Sequence, residues 1–484
     1  MNIWSFLQEP FTEYSDLCAV SDSTGKTLMN YDELKDRVHF RANEISSKTA
    51  LGDKVIVICN NSHFDAINIL AVIAAGRVVI ITDLKYGEQR CQDIAKATRP
   101  QLIISEKDIY GELEKYDQLQ KLDMEQDRYL PSSVVPQEQS INNDRPAVIL
   151  FTSGTNGLPK GVVLTHRNII SNLESIKDSF PFDSAERTAI VRSLSHASAF
   201  TGELLYSLWC GASIVFYNGS FFPAKLVHFL VKTKATFLGT TPTIFNYIYN
   251  YLKHDSHNLK KVVLSGECLL QSAATAFYTS LPNIEFYNAY GLTEASPRVS
   301  YLEPKDFNTR PGSVGKPIQG VSVKIVNDEG EELKAEEVGE IIISGPNVLL
   351  EYWNDKSLTA MRLNDNYLNT RDLGYFDSHG FLYVIGRKDN MIIRAGVNIY
   401  PSEIEAVLLK HPSINEVLIW GEPDSKYGQI ICAEIVPSDE NVTEKTIINI
   451  CRESLPSYLW IDRLKIVNEL TYNINGKKIV SANN

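Results

Sequence analysis

Residues 149–161, Ile-Leu-Phe-Thr-Ser-Gly-Thr-Asn-Gly-Leu-Pro-Lys-Gly, pass from an apolar run into small, hydroxylated and glycine residues that end on a lysine. Such a stretch can grip an anion. Ala147 to Phe151 are β-formers, so a strand would deliver the loop. Gly154 and Gly157 free the backbone to turn its N–H groups toward a phosphate, Thr152, Ser153 and Thr155 add hydroxyl donors, and Lys160 supplies a point charge. The spacing is neither G-x-x-x-x-G-K-[ST] nor G-x-G-x-x-G, so this is no Walker A loop and no dinucleotide fingerprint. Taken alone, the same composition also suits a plain surface turn.

A chain of 484 residues is too long for one core and implies two or more domains. Its formal net charge of -12 argues against nucleic acid or an anionic membrane as a bulk partner. The 7 cysteines are odd in number, scattered and never in a C-x-x-C pair. That pattern indicates neither a disulfide framework nor a zinc site and fits a reducing, cytoplasmic setting. The start, Met1-Asn-Ile-Trp-Ser-Phe-Leu-Gln-Glu, lacks the basic flank and long apolar core of a signal peptide. The most apolar stretch, residues 66–81, is interrupted by Asn68, Gly76 and Arg77 and is too short to span a bilayer.

The elements that must position the loop read as α/β. A helix begins at Asn30, with Leu34, Val38, Ala42 and Ile45 on one face and Asp32 and Glu33 in its first turn. A strand at residues 54–59, an apolar helix ended by Gly76 and a buried-type strand at 78–81 follow, alternating as in a parallel sheet. Residues 102–104 read as a short strand, and residues 110–144, polar and punctuated by proline, as a surface connection. After the loop, Thr165 is placed to cap a helix whose apolar face is Ile169, Ile170, Leu173 and Ile176. Strands at 214–216, 236–238 and 261–264 continue the rhythm, and the last runs into Ser265-Gly-Glu267, where an open sheet collects ligands. Beyond about residue 320, alternating strands and tight turns predict a smaller β-rich subdomain. A last unit starts near Arg387 and alternates helix (402–409) and strand (416–419, 430–436).

Ser195-His-Ala-Ser-Ala-Phe200, Asn288-Ala-Tyr-Gly-Leu-Thr-Glu294, Asn369-Thr-Arg-Asp372, Gly386-Arg-Lys-Asp-Asn390, Gly396-Val-Asn-Ile-Tyr-Pro-Ser-Glu-Ile-Glu405 and Asn475-Gly-Lys477 follow the opening loop. In order and spacing this set resembles the adenylate-forming superfamily of acyl-CoA synthetases, peptide-synthetase adenylation domains and luciferases, over nearly the whole chain. AMP-dependent acyl- and aryl-CoA ligases are the most similar branch. The resemblance implies an α/β N-terminal adenylation domain with a β-rich subdomain, residues 1–386, and a small mobile α+β C-terminal domain, residues 387–484. The first would bind ATP and a carboxylic acid; the second would rotate between two half-reactions. One makes an acyl-adenylate and pyrophosphate. The other transfers the acyl group to a thiol, that of coenzyme A or of the phosphopantetheine on an acyl carrier protein.

Two anions, a carboxylate and the α-phosphate, must meet in the first step, so donors and cations have to offset their repulsion. The resemblance assigns Thr152, Ser153, Gly154, Thr155, Asn156, Gly157 and Lys160 to the phosphates, Thr293 to the α-phosphate and Glu294 to Mg²⁺. It stacks Tyr290 on adenine, sets Gly266, Glu267, Asn288, Ala289 and Gly291 along the nucleotide, puts Asp372 on the ribose hydroxyls and lets Arg387 reach ribose or phosphates. Lys477 is the implied catalytic cation, inserted between carboxylate and α-phosphate, with Thr293 and Glu294 beside it. Asp389 corresponds to the hinge, and Gly396 to the thiol channel. Read without the family, Asp372 and Arg387 are surface charges, Tyr290 is core, and Lys477 belongs to a solvated tail.

Asn156 stands where the family has serine or threonine, and Arg371 replaces a glycine beside Asp372. The flank of Lys477, Leu470-Thr-Tyr-Asn-Ile-Asn-Gly, matches the family only loosely and lacks its usual proline and threonine. His196, Ala197, Phe200, Ser265 and Ala295 are the implied substrate residues. Amino-acid-activating relatives carry an aspartate where this chain has Ala197, and a buried ammonium without a partner is costly, so the acid expected is an aryl or fatty acid and not an α-amino acid. Two further readings stand beside the ligase: a nucleotide-binding pseudoenzyme, favoured by Arg371 and the loose lysine stretch, and luciferase-like oxidation, for which no residue speaks.

Overall fold

The computed structural model describes residues 1–105, 120–123, 142–152, 160–219, 221–254, 256–364, 366–424, 426–472 and 478–480. Ser153, Gly154, Thr155, Asn156, Gly157 and Lys477 therefore lie outside the described residues.

Local signals form the elements that the sequence leads one to expect. Asn30 accepts the Glu33 N–H at 2.8 Å while the Glu33 carboxylate accepts the Asn30 N–H at 2.9 Å, starting the helix Tyr31–Lys48 with two orphan donors satisfied. Leu34, Val38, Ala42 and Ile45 are its fully buried face. Thr165 and Asn168 make the same reciprocal cap on the helix His166–Ser179. Ile169, Leu173 and Ile176 of that helix are buried, whereas Ile170 is only half-buried. Val78–Asp83, all six residues buried, is the central-strand type that apolar runs produce.

Two large sheets carry the N-terminal part. One has seven strands in the order Glu351–Tyr352, Lys160–Thr165, Pro146–Thr152, Val78–Asp83, Lys54–Cys59, Leu102–Ser105, Gln120–Asp123. From Pro146–Thr152 onward its strands are parallel, but Lys160–Thr165 turns back antiparallel to Pro146–Thr152. Gln120–Asp123 corrects the expectation of a mere connection across residues 110–144: it pairs in parallel with Leu102–Ser105. An edge strand buries one flank only, so its short polar sequence shows little of the apolar run that marks central strands.

The second sheet has nine strands. Its parallel centre sets Glu285–Gly291, Lys261–Ser265, Phe237–Thr240, Arg187–Ile190 and Ser213–Phe216 side by side, and Arg298–Leu302 closes one flank antiparallel to Glu285–Gly291. A continuous apolar core joins both sheets and the helices between them. Ser322–Val326, Gly339–Ser344, Leu363–Asn364, Tyr367–Phe376 and Leu382–Arg387 make an antiparallel five-stranded sheet, the β-rich subdomain expected beyond residue 320.

From Ile392 the buried side chains form a separate core. It packs the helices Pro401–Leu408 and Glu444–Ser454 on a sheet of Ile414–Asp424, Gly428–Pro437 and Arg463–Ile466. The Tyr247 hydroxyl of the helix Pro242–Leu252 donates to Glu416 at 2.8 Å, and the Ser402 hydroxyl donates to the Ile385 carbonyl at 2.5 Å, so this domain rests on the larger one. Among the described residues no helix is long and apolar enough to cross a membrane.

His166 opens its helix while accepting the Ile3 N–H on Nδ1 at 3.3 Å. Burial, then the nearby N-terminal charge, lowers its pKa to about 4. A depressed histidine contributes stability above its unfolded pKa, and that contribution is lost as pH falls from about 6.5 toward 4. Going from pH 7 to pH 5, the wild type is expected to lose about 2 kcal/mol more unfolding free energy than His166→Gln, measured by denaturant titration. Equal losses in both proteins would show that His166 does not titrate with folding.

Candidate active site

Lys261–Ser265 and Glu285–Gly291 run parallel with Ser265 beside Ala289, so the turns after both strands open on one edge. After Ser265 the chain turns through Gly266 at φ +93°, left-handed backbone that suits glycine. Glu267 then holds the N-terminus of the helix Pro242–Leu252, accepting the Thr243 hydroxyl at 2.7 Å and its N–H at 3.2 Å. On the neighbouring strand the buried Asn288 donates its amide to the Ser313 carbonyl at 2.7 Å, and Ala289 and Tyr290 pack into the core.

The Tyr290 hydroxyl donates to Asp372 Oδ2 at 2.5 Å. Burial, followed by the Asp372 charge and that hydrogen bond, pushes the phenol far above its ordinary pKa, which keeps it a donor. Asp372 is 8% exposed, its own N–H donates to Thr370 Oγ1 at 3.0 Å, and Arg387 Nε stands 3.5 Å from Oδ1. Arg387 is brought there by register, since it lies opposite Asp372 on the paired strands. A carboxylate fixed in this way presents oriented acceptors, the chemistry that a pair of ribose hydroxyls needs.

Past Gly291 the chain doubles back tightly: a Cβ there would stand 2.2 Å from the Pro297 carbonyl oxygen, so only glycine fits. The fold-back carries the short turn Thr293–Ala295. Within it Glu294 accepts the Tyr352 hydroxyl at 2.9 Å and, on its carbonyl, the Leu349 N–H at 2.8 Å. Burial and the Glu294 charge raise the Tyr352 phenol, so this contact too is a standing donor to a carboxylate. Tyr352 escaped the sequence reading because a tyrosine behind an apolar run carries no signal until the fold brings Glu294 to it. Among the described residues no cluster of three or more histidine, cysteine or acidic side chains could hold a metal. A single carboxylate such as Glu294 suits a magnesium ion that would take its other ligands from phosphates and water, as this cation does on nucleotides.

Thr152 and Lys160 face each other across the antiparallel pair Pro146–Thr152 and Lys160–Thr165, and so bracket residues 153–159 at the strand ends. On the acyl side, His196 is half-buried at the start of the short helix Ala197–Ala199, with its carbonyl accepting the Phe200 N–H at 2.9 Å. Phe200 and Ala295 are wholly buried, and Ala197 and Ser265 nearly so. The next turn, Phe200–Leu205, is π-helical, a widening that often marks functional sites.

Between the two domains the charges are paired closely. Arg371 adopts φ +64°, the conformation for which a glycine would be expected, and its Nη2 lies 2.6 Å from Asp389 Oδ1. Against the cost of burial, the Arg371 hydrogen bond and the charges of Arg371 and Arg387 hold the Asp389 carboxyl below its ordinary range. Lys388 binds Asp328 at 2.6 Å and Glu340 at 3.0 Å. Gly396, at φ +81°, is the turn between Ile392–Arg394 and Val397–Ile399, with nothing within 4 Å of where a Cβ would be.

Comparison with known proteins accords with this geometry. Residues 7–353 match the AMP-binding enzyme family, and residues 403–477 match the AMP-binding enzyme C-terminal domain. The chain is 32% identical over 337 residues to a long-chain-fatty-acid–CoA ligase of Salmonella typhimurium, an alignment that takes in 68% of this chain but only 60% of that enzyme's length. It is 30% identical over 498 residues to an oxalate–CoA ligase of Arabidopsis thaliana, covering 97% and 96% of the two chains. The o-succinylbenzoate CoA synthetase of Bacillus subtilis, solved with its acyl-adenylate intermediate, superposes with a TM-score of 0.87 at 23% identity over 99% of this chain and 97% of that one. That likeness shows the same fold.

The left-handed backbone at Arg371 gives a stability test. A β-carbon there costs about 1 kcal/mol, whereas the half-exposed pair with Asp389 contributes no more than about that much. Arg371→Gly is therefore expected to denature at a higher midpoint than Arg371→Ala, by about 1 kcal/mol, the reverse of the order at ordinary sites. Alanine matching or exceeding glycine would place the residue outside that backbone conformation.

Proposed function

The chain belongs to the AMP-binding enzyme family, and from that premise we propose that it activates a carboxylic acid without an α-amino group, using ATP, and passes the acyl group to the thiol of coenzyme A. One observation carries this reading: Asp372 and Glu294, each held by the hydroxyl of a buried tyrosine, meet the fold-back at the end of Glu285–Gly291. Such an arrangement offers one acidic group, anchored at Tyr290, to a ribose and another, Glu294, four residues beyond that tyrosine, to a phosphate-bound cation.

In the proposed first step a carboxylate oxygen attacks the α-phosphorus, the bond to the bridging oxygen breaks, and pyrophosphate leaves. Asp372 would hold the ribose hydroxyls with the acceptor capacity that Tyr290 leaves open. Thr293 would donate to the α-phosphate, while the amides and hydroxyls of residues 152–157 and Lys160 would retain the outgoing pyrophosphate. Magnesium, when bound at Glu294, would offset part of the phosphate charge. Lys477 would bring its ammonium between the two reacting anions, where charge develops. In the second step the thiol sulfur attacks the acyl carbon and AMP departs. We assign these steps to two working parts, residues 1–386 and 387–484, turning about Asp389 so that Lys477 withdraws and the thiol approaches past Gly396.

Coenzyme A as acceptor is supported by the relatives, whose names are those of CoA ligases. A carrier-protein pantetheine is the alternative acceptor. A cytoplasmic setting is supported by the 7 cysteines, odd in number, scattered and never in a C-x-x-C pair.

Acid-dependent pyrophosphate release across a panel of carboxylic acids tests the first step. Lys477→Ala is expected to lower that release by about 10²- to 10³-fold while ATP still binds. Release that no acid stimulates would favour a pseudoenzyme, and acid-stimulated release that ignores Lys477→Ala would remove that lysine from the step. Thioester formation offered coenzyme A and phosphopantetheinylated carrier separately should proceed with coenzyme A; turnover with the carrier alone would overturn the acceptor.

A further inference from the structure

Behind the residues assigned to the acyl group lies an unbalanced set of charges. Glu203, in the π-helical turn that contains Phe200, is 0% exposed. Arg192 Nη2 lies 2.5 Å from Glu203 Oε1, and its Nη1 donates to the Ser265 hydroxyl at 3.4 Å. Arg298, three residues after Ala295, is 1% exposed and donates Nε to the Tyr301 hydroxyl at 2.8 Å. Two guanidinium charges thus act on one carboxylate. Arg298 Nη2, Arg192 Nε, Glu203 Oε2 and the hydroxyls of Thr201 and Thr240 are all buried without a hydrogen-bond partner. Burial raises the Glu203 carboxyl even against the two arginines, so any proton it takes up widens the excess of positive charge.

The surroundings are shaped to keep these groups in place. A Cβ on Gly239 would stand 2.4 Å from Glu203 Oε1, and one on Gly202 would stand 3.0 Å from Arg298 Nη2. The Arg298 backbone is clamped: its N–H donates to Asn172 Oδ1 at 3.1 Å, and its carbonyl accepts the amides of Asn172 at 2.9 Å and Asn347 at 3.1 Å. Asn347 also binds the Ala295 carbonyl at 2.9 Å, which ties the cluster to the acyl side of the site. Arg298 has the Tyr301 hydroxyl and ring but no acceptor on Nη2; a buried guanidinium nitrogen left so is costly, and in a fixed frame it awaits an acceptor.

We propose that the acid is a dicarboxylic acid: one carboxylate is adenylated, and the other, still ionised, docks on Arg298 and completes the Arg192–Glu203–Arg298 cluster. This rests on the acyl-adenylate reading of the site. The chemistry is unchanged, because the second carboxylate neither gains nor loses a bond; it is a recognition group. A fatty or aryl monoacid would bury the guanidinium without an acceptor.

Pyrophosphate release by the full chain, with ATP, magnesium and coenzyme A, is measured on matched pairs: malonate and propionate, succinate and butyrate, phthalate and benzoate. In at least one pair the diacid is expected to exceed its monoacid in kcat/KM by about 100-fold or more, the penalty for leaving a buried donor unpaired. Arg298→Leu should erase that preference, chiefly through the KM of the diacid, and Arg298→Lys should keep a large part of it. Thermal stabilisation by ATP alone certifies that each variant is folded; if Arg298→Leu fails that check, the wild-type ratios and Arg298→Lys decide. Monoacids turned over as well as their diacid partners would overturn the proposal and leave the ligase reading standing. No release with any acid would overturn both.

Discussion

The hydrogen bond from Tyr290 to Asp372 is the contact on which the site depends. It joins the carboxyl end of a nine-stranded sheet strand to the middle of the long strand Tyr367–Phe376 of the five-stranded sheet. In a surrounding of low polarity such a bond is stronger than in water, and leaving the carboxylate without it would be expensive. Register then propagates the arrangement: fixing Asp372 fixes Arg387 across the strand pair and Arg371 beside it, and Arg371 in turn holds Asp389. A single buried contact thereby sets the relation between the end of Glu285–Gly291 in the larger domain and the segment leading to the smaller one.

Charge is managed locally. The chain carries a net charge of -12, yet the residues proposed to act on anions are cations and oriented donors. Net charge governs what approaches from a distance, whereas a few fixed groups in a poorly polar pocket govern what stays. The same logic operates twice here, once with tyrosine hydroxyls steadying Asp372 and Glu294, and once with Arg192 paired to Glu203 under the charge of Arg298.

Much of this was legible in the sequence because the signals are local. The Asn30 and Thr165 caps, the buried face of Leu34, Val38, Ala42 and Ile45, and the apolar strands before the opening loop all depend on neighbours within a few residues. The residues brought together by distance were not. Tyr352 meets Glu294, and Arg192 meets Ser265, only once segments far apart in the chain lie side by side, and no periodicity records such meetings. Gln120–Asp123 was missed for the opposite reason, since a short edge strand needs little apolar surface. Arg371 was recognised as a departure, but its effect could not be foreseen: the backbone keeps the left-handed turn, and the new side chain becomes an ion-pair partner of Asp389.

The central claim is that this framework joins a carboxylate to the α-phosphate of ATP. Supplying an acid labelled with oxygen-18 in its carboxyl group, and analysing the nucleotide product by mass spectrometry, follows the bond directly. Attack on the α-phosphorus and later release of the acyl group predict AMP carrying one labelled oxygen for each thioester formed. Unlabelled AMP, or ADP with the label in inorganic phosphate, would contradict an acyl-adenylate and the account built on it.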